Sequence, residues 1–453
     1  MSSFEENYLK LNNEQKEAVD TVFGPVLVVA GPGSGKTQLL ALRVANILKQ
    51  TDTLPNQILC LTFTESAAAN MRERLTGFLH RDAYKVAIHT FHSFGTEVIS
   101  QNSSHFFSAA DFKPADDLTS LQILDEILGS LPAKNPFRSQ HQEVFVYIDD
   151  ALKVIDALKK GGVTPTEFQE VVDENREFLD LIAQDIEEVF EDRISGKTVE
   201  NLWKIYQKIS DLSNEKKQNE LNKQTEEEVV TWKNVYPCLI DIVLVQLQHV
   251  LADVQELIKA GARSTSPITE WKGKFTTKNK DNKTVAKDLF KHENFVTLAF
   301  IYKEYQAKLY DLGFFDFSDM LLEVARALQD PESLDLKYNL QEKYQFILVD
   351  EFQDTNGVQM KLLQELLDSP VNDGSPNILA VGDDDQAIYK FQGANLDNIL
   401  KFKEKYPTTK VITLNTNYRS KQDILDLAMQ VSAQATEKLE LEGVIKVLVS
   451  GVK

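Results

Sequence analysis

An apolar strand that runs straight into a glycine-rich turn constrains this chain more than any other feature. The segment "PVLVVA" (25–30) is followed by "GPGSGKT" (31–37) and then by the helix-like "QLLALRVANILKQ" (38–50). A near-continuous aliphatic run reads as a strand covered on both faces, the habit of parallel sheets. Gly31, Gly33 and Gly35 permit a tight turn whose amides converge, and the following helix adds its N-terminal dipole at the same point. Phosphate oxygens suit such a turn. Lys36 is placed to reach β- and γ-phosphates, and the Thr37 hydroxyl to ligate Mg²⁺. The pattern predicts a nucleoside triphosphate site and is silent about the work it drives.

A second strand end carries acid. "ILVDEFQDTN" (347–356) closes an apolar run with Asp350, Glu351 and Asp354, expected to be exposed beyond a buried strand. Carboxylates there hold a cation or move a proton. Beside a phosphate turn, Asp350 is expected to hold Mg²⁺ and Glu351 to act as general base on an attacking water. A kinase draws its acceptor hydroxyl from substrate and has no use for the second carboxylate; hydrolysis does.

Strand and helix textures alternate over residues 1–95, with "ILCLTFT" (58–64) and "KVAIHT" (85–90) as further strands, and return from about 296 in "YQFILVD", "NILAVGD" and "KVITLN". That alternation predicts an α/β domain with a parallel sheet covered by helices. Between them, 96–295 carries helical periodicity in "LTSLQILDEILGSL" and "IDIVLVQLQHVLADVQELI", without strand-like alternation. A helical insertion interrupting one α/β domain is the expected organisation. The polar stretch 210–228 reads equally as an exposed helix or a mobile segment.

With 453 residues, the chain exceeds one ordinary core. Its 69 acidic against 49 basic residues, net −20, argue against a simple polyanion binder but leave room for local patches. Acids crowd 167–193. From 259 to 291 the balance reverses, with Lys272, Lys274, Lys278, Lys280, Lys283 and Lys287 around Trp271 and Phe275, either a solvated loop or a phosphate contact. Cys60 and Cys238 alone cannot make a disulfide framework or a cysteine-rich zinc site. "MSSFEENYLK" lacks the regions of a signal peptide, and no apolar run approaches the roughly 20 residues of a membrane span. A cytoplasmic protein with no membrane partner is expected.

Read in order, the motifs resemble those of the UvrD/Rep/PcrA-type superfamily-one DNA helicases. "VDEFQDTN", "VGDDDQAIYKFQGA" (381–394) and "NTNYRS" (415–420) match successive signatures. "LNNEQKEAV" (11–19) resembles their adenine-reading motif, "TFTESAAANM" (62–71) and "HTFHSF" (89–94) their DNA-facing motifs, and "FFDFSDML" (314–321) a further one. The resemblance implies a RecA-like P-loop NTPase: a motor domain over 1–95 and 296–415, the helical insertion over 96–295, and the start of a second motor domain over 416–453.

It also implies roles. Gln15 would read adenine, Gly31, Gly33, Ser34, Gly35, Lys36, Thr37 and Gln38 would hold ATP, and Thr37 with Asp350 would hold Mg²⁺. Glu351 would be the base. Gln386 would sense the γ-phosphate, Arg419 would contact it, and Tyr418 would stack on the base. Phe63, Tyr389 and Phe391 would stack on DNA bases, each worth about 1–3 kcal/mol, with Thr64 and His92 contacting its backbone. Phe391 stands where the family often has Trp, Gln38 where many members have Arg, and Lys390 and Gln392 replace common arginines. No later motif supplies the second motor domain's arginine, so the chain reads as an N-terminal fragment. The implied activity is an ATP-dependent helicase or translocase moving 3′ to 5′ on single-stranded DNA, with strand junctions and DNA-repair proteins as partners. A helicase–nuclease, or a module that binds ATP and DNA without turnover, remains open.

Overall fold

The computed structural model describes residues 3–106, 112–190, 194–224, 239–260, 265–279, 282–386, 397–432 and 448–452. The chain forms two compact units, one of Met1–Pro114, Lys159–Gly162 and Gly313–Lys453, the other of Ala115–Leu158 and Val163–Leu312.

The first unit is built on six strands: β1 (Val26–Ala30), β2 (Ile58–Thr62), β3 (Ala87–Thr90), β4 (Phe346–Val349), β5 (Ile378–Gly382) and β6 (Lys410–Leu414). They lie in the order β6-β1-β5-β4-β2-β3, and every neighbouring pair is parallel. The aliphatic runs follow from this. Successive side chains point to opposite faces, and both faces are covered. Leu27, Leu59, Ile347 and Ala380 pack on one side with residues of the helices Phe91–Gln101, Asp319–Gln329 and Gly357–Leu367. Val28, Cys60, Leu348 and Val381 pack on the other with the helices Asn13–Asp20, Lys36–Gln50 and Glu65–Leu79. A strand with polar residues at alternate positions could not fill either layer. Because all six strands run one way, the loops that follow them gather along one rim, where open α/β sheets bind ligands.

One buried cation ties this unit together. Lys159 has no exposed side-chain surface, and its ammonium lies 2.8 Å from Asp319 and 2.5 Å from Asp316. Those two carboxylates hold Lys159 in its charged form against the burial that opposes it. Burial, with Asp316 nearby, pushes Asp319 up to about 7 despite Lys159. Just beyond, Gly161 lies against Gly357 so closely that a Cβ on Gly357 would sit 3.0 Å from the Gly161 Cα and 2.8 Å from its carbonyl carbon.

The second unit is mainly helical. Its long helices include Pro165–Val189, Gly196–Gln224, Leu239–Lys259 and Lys287–Asp311. Phe178, Ile182, Ile205, Leu247 and Trp271 share a core. Helix Pro165–Val189 starts with proline at its first position and a reciprocal cap between Thr164 and Glu167. The Gly196–Gln224 helix takes in the first part of the polar stretch 210–228; the rest lies outside the described residues.

Two short antiparallel pairs correct the expectation of a strand-free insertion: Gln140–His141 with Val144–Phe145, and Thr276–Lys278 with Thr284–Ala286. The second falls in the basic stretch, where lysines hide any alternation. Several of those lysines serve the fold. Lys283 pairs with Glu187 at 2.7 Å, Lys287 donates to the last carbonyls of helix Ser266–Phe275, and Lys272 lies over the Phe190 ring. Among the described residues no helix is long and apolar enough to cross a membrane.

Candidate functional site

The glycine turn sits between β1 and helix Lys36–Gln50. Gly33 and Gly35 hold φ of 69° and 87°, a left-handed backbone that side chains resist. Gly35 is also the N-cap, and it offers no side chain to the helix's first amides. Those amides are left for an anion. Ser34 is buried, and its hydroxyl has no hydrogen-bond partner among the described residues.

Gln15 braces this turn. Its Oε1 accepts from the Asn12 amide at 3.1 Å in a capping box, and its Nε2 donates to the Ser34 carbonyl at 2.8 Å. The buried Arg43 fixes the same helix by donating to the carbonyls of Ala18 and Val22 at 2.9 and 3.0 Å. From the other side the buried Asn417 donates to the Pro32 carbonyl while its Oδ1 caps the amides of Arg419 and Ser420 at 2.8 Å. The Tyr418 amide donates to the Gly33 carbonyl at 2.9 Å. Tyr418 itself is half exposed, its ring beside Gly451, and Leu448 abuts Gly31.

The strand-end acids are not exposed. Asp350 and Asp354 are both 7% accessible, which corrects the expectation drawn from their position beyond a strand. The cover comes from the neighbouring loop. Gln353 donates to Glu351 at 2.9 Å and to Asp354 at 3.4 Å, and its Oε1 accepts from the Asp383 amide at 2.9 Å, lacing the ends of β4 and β5. Glu351 takes a left-handed backbone (φ 48°) that turns its side chain to Lys36, with Nζ 2.7 Å from Oε2. Burial first, and Glu351 second, push Asp350 up to about 6, with Lys36 opposing; Asp354 rises to about 6 for the same reasons. Asp350 accepts from the Glu351 amide at 3.0 Å, and Asp354 Oδ1 has no partner among the described residues. The Gln386 side-chain Nε2 donates to the Asp383 carboxylate.

A cavity of about 660 Å³ opens beside the turn, lined by Thr37, Gln38, Asn70, Arg74, Phe78 and Arg419 among others. Gln38 accepts from Arg74 at 2.9 Å, so a guanidinium does reach this cavity, carried by helix Glu65–Leu79. Sequence reasoning missed Arg74, because that helix lies far along the chain from the glycine turn. It also missed Asn417, Gln353 and Asp383, whose roles are hydrogen bonds between loops.

At the free side of the rim, Phe63 follows β2 and is half-buried, and Thr64 caps helix Glu65–Leu79 through the Ala67 amide at 3.1 Å. His92 follows β3, its ring stacked on Phe317 with centroids 4.1 Å apart. Tyr389 and Phe391 lie outside the described residues. Among the described residues no group of three or more His, Cys, Asp or Glu could by itself hold a metal ion. Thr37 stands in the first turn of helix Lys36–Gln50, and the Asp350 carboxylate closes β4 next to Glu351, which Lys36 touches.

Comparison with known proteins names the kinship. ATP-dependent DNA helicase UvrD1 of Mycobacterium tuberculosis is 28% identical over 432 residues, 95% of this chain and 40% of that protein. ATP-dependent DNA helicase PcrA of Staphylococcus epidermidis is 27% identical over 94% of this chain and 40% of its own length. ATP-dependent DNA helicase Rep of Buchnera aphidicola is 26% identical over 95% and 46%. The chain thus spans less than half the length of these relatives. The family model for the UvrD/REP helicase N-terminal domain matches residues 11–407, and with that match the chain belongs to the UvrD/REP helicase N-terminal domain family.

Proposed function

We propose that this chain provides the ATP-binding motor domain and inserted helical subdomain of an ATP-dependent DNA helicase or translocase that moves 3′ to 5′ on single strands. One contact supports the reading most: Lys36 and Glu351 meet at 2.7 Å although 315 residues separate them. A phosphate-binding cation and a carboxylate able to activate water, brought to one point, suit hydrolysis of a terminal phosphate. In the domain assignment proposed here, 1–95 and 296–415 form the motor domain, 96–295 the insertion, and 416–453 the beginning of a second motor domain.

The residues divide the work. Lys36 and the amides of the helix start bind the phosphates, and Gln15 holds the turn in shape. Thr37 and Asp350 would hold Mg²⁺, which supplies neutralisation of the phosphate charge. Glu351, released from Lys36, takes the proton of the attacking water. Arg74 and Gln38 border the cavity beside the turn with Arg419, which would contact the γ-phosphate, and Tyr418 would stack on the base. Gln386, beyond β5 and hydrogen-bonded to Asp383, would sense the γ-phosphate and couple it to bound DNA. Phe63, Thr64 and His92 carry single-stranded DNA along the rim.

Mg²⁺-dependent ATP hydrolysis, with and without single-stranded DNA, tests the proposal beside Glu351→Gln and Lys36→Ala. DNA-stimulated turnover by the chain, lost in Glu351→Gln with ATP still bound, supports Glu351 as the base but overturns the reading of an incomplete motor, because a catalytic arginine must then come from this chain or a second copy of it. Normal ATP affinity in Lys36→Ala refutes the phosphate role. ATP and DNA binding without turnover would place the transition-state arginine beyond Arg419, in a second motor domain or another chain.

A further inference from the structure

We infer that a cavity where strands β2, β4 and β5 begin is a docking site for an arginine side chain on an exposed segment of a partner protein. The cavity measures about 550 Å³ and is lined by Gln57, Gln341, Glu342, Ile347, Leu366 and Asn377 among others. Gln57, Gln345 and Asn377 immediately precede β2, β4 and β5. Because the sheet is parallel, the cavity lies at the rim opposite the glycine turn, which follows the end of β1. A strand of five residues spans about 16 Å between the two rims. The cavity thus stands apart from the nucleotide site.

Its walls divide by chemistry. Ile347 and Leu366 are buried aliphatics, suited to the methylenes of an arginine stem. Beside them stand acceptors that lack donors. Glu342 is exposed and has no hydrogen bond or ion pair among the described residues. The lysines of its helix are committed elsewhere, Lys337 to Glu365 at 2.8 Å and Lys343 to Glu97 at 3.8 Å. Gln341 is 8% accessible, and its Nε2 donates to the carbonyls of Glu365 and Asp368 at 2.7 and 3.2 Å. Its Oε1 has no partner among the described residues. A buried amide oxygen without a donor destabilises the fold, and an incoming N–H relieves it. A guanidinium carries five N–H donors and no acceptor, in a planar fork able to serve a carboxylate and an amide oxygen together. An anion would be repelled by Glu342, and a neutral aliphatic group would leave both oxygens unserved.

The surroundings fit a peptide rather than a free amine. Leu334, Tyr338 and Glu342 follow one another at four-residue spacing along helix Leu334–Lys343, so two exposed apolar side chains lead to the carboxylate. Across the cavity wall, Val371 is 90% exposed on the loop before β5. That loop is braced. Asn372 Nδ2 donates to the Leu367 carbonyl at 3.0 Å, the Asn372 amide to Ser369 at 3.0 Å, and the Ser375 amide to Asn372 at 2.8 Å. Side chains held this rigidly lose little freedom on binding. Tyr338 and Val371 would cover the residues that flank the arginine, and arginine anchors surrounded by apolar contacts are frequent at the centres of interfaces.

Methyl NMR of the full 453-residue chain tests this, with titrations of acetyl-Leu-Arg-Leu-amide, its citrulline twin and agmatine. Citrulline keeps the shape of arginine and loses its charge. The arginine peptide should shift the Ile347, Leu366 and Val371 methyls saturably and bind at least about threefold tighter than the citrulline peptide. Glu342→Gln should remove that preference. Val371→Ser should weaken the peptide by at least about threefold and spare agmatine, since only the peptide reaches the loop. Both replaced side chains are exposed, so the fold should persist, which far-UV ellipticity checks. No shift at millimolar peptide, or no preference for arginine over citrulline, overturns the site. An arginine preference that survives Glu342→Gln overturns the role of the carboxylate. Agmatine bound as tightly as the peptide overturns partner docking and leaves a site for a free alkylguanidine.

Discussion

Replacing Lys159 by Met should make the stability of the first unit depend steeply on pH. Methionine nearly matches the lysine stem, so packing changes little, but the ammonium that faces Asp316 and Asp319 disappears. Asp319 is left with a side chain 1% exposed and a second carboxylate for company. Stranding one member of a buried ion pair costs about 3–5 kcal/mol. The cost has an escape, because the carboxyl can take a proton. Asp319 already stands near 7, above an ordinary aspartate, and losing Lys159 moves it higher. The sign follows: a carboxyl that binds its proton more tightly in the folded state adds stability at low pH, and that stability is lost as pH rises through its folded value. The variant should therefore lose about 3–5 kcal/mol at pH 8.5 and much less at pH 5.5, where a protonated Asp319 donates to Asp316. Urea unfolding followed by far-UV ellipticity at the two pH values measures this. Tryptophan fluorescence does not, since Trp203, Trp232 and Trp271 all belong to the second unit. Pulsed thiol labelling of Cys60, buried in β2, reports on the sheet directly in a Cys238→Ser background. Adding Asp319→Leu to the Met variant should restore much of the loss. A deficit under 1 kcal/mol at pH 8.5, or an equal deficit at both pH values, would refute the reasoning.

Three further outcomes are expected. Mg²⁺-nucleotide affinity, measured by calorimetry at pH 5.5 and 7.5, should rise with pH through about 6, because the cation competes with the proton on Asp350; a flat profile removes Asp350 from the metal site. Gly357→Ala should destabilise the first unit by about 1–3 kcal/mol, since its Cβ must displace the Gly161 backbone; an unchanged urea midpoint would mean the connector moves freely. Neutralising Lys278, Lys280 and Lys283 together should lower the salt slope of single-strand binding by no more than about 1.4, because Lys283 is committed to Glu187; a fall near 2.1 would put all three on phosphates.

What the sequence made legible was local. The strand, glycine turn and helix of 25–50 are contiguous, and each glycine serves the turn it sits in. The carboxylates of "VDEFQD" were recognisable as a site but not as buried, because their cover arrives from Asp383 through Gln353, across two strands that are neighbours only in space. The link of Gln38 to Arg74 is of the same kind. The hairpin around Lys278 escaped because its strands are three residues long and mostly polar. Phe317 was visible as a letter in a motif; that its ring stacks on His92, more than two hundred residues earlier, was not.

If Lys36 binds phosphate as proposed, its contact with Glu351 is a built-in competitor for that phosphate. A terminal phosphate can take the ammonium only by evicting a carboxylate, so substrate capture and liberation of the base are a single exchange of partners. With Glu351 one-third exposed, that competitor is weak, on the order of 1 kcal/mol or less, a toll of at most several-fold in affinity. In return the carboxylate proposed as the base would stay neutralised until a phosphate draws Lys36 away.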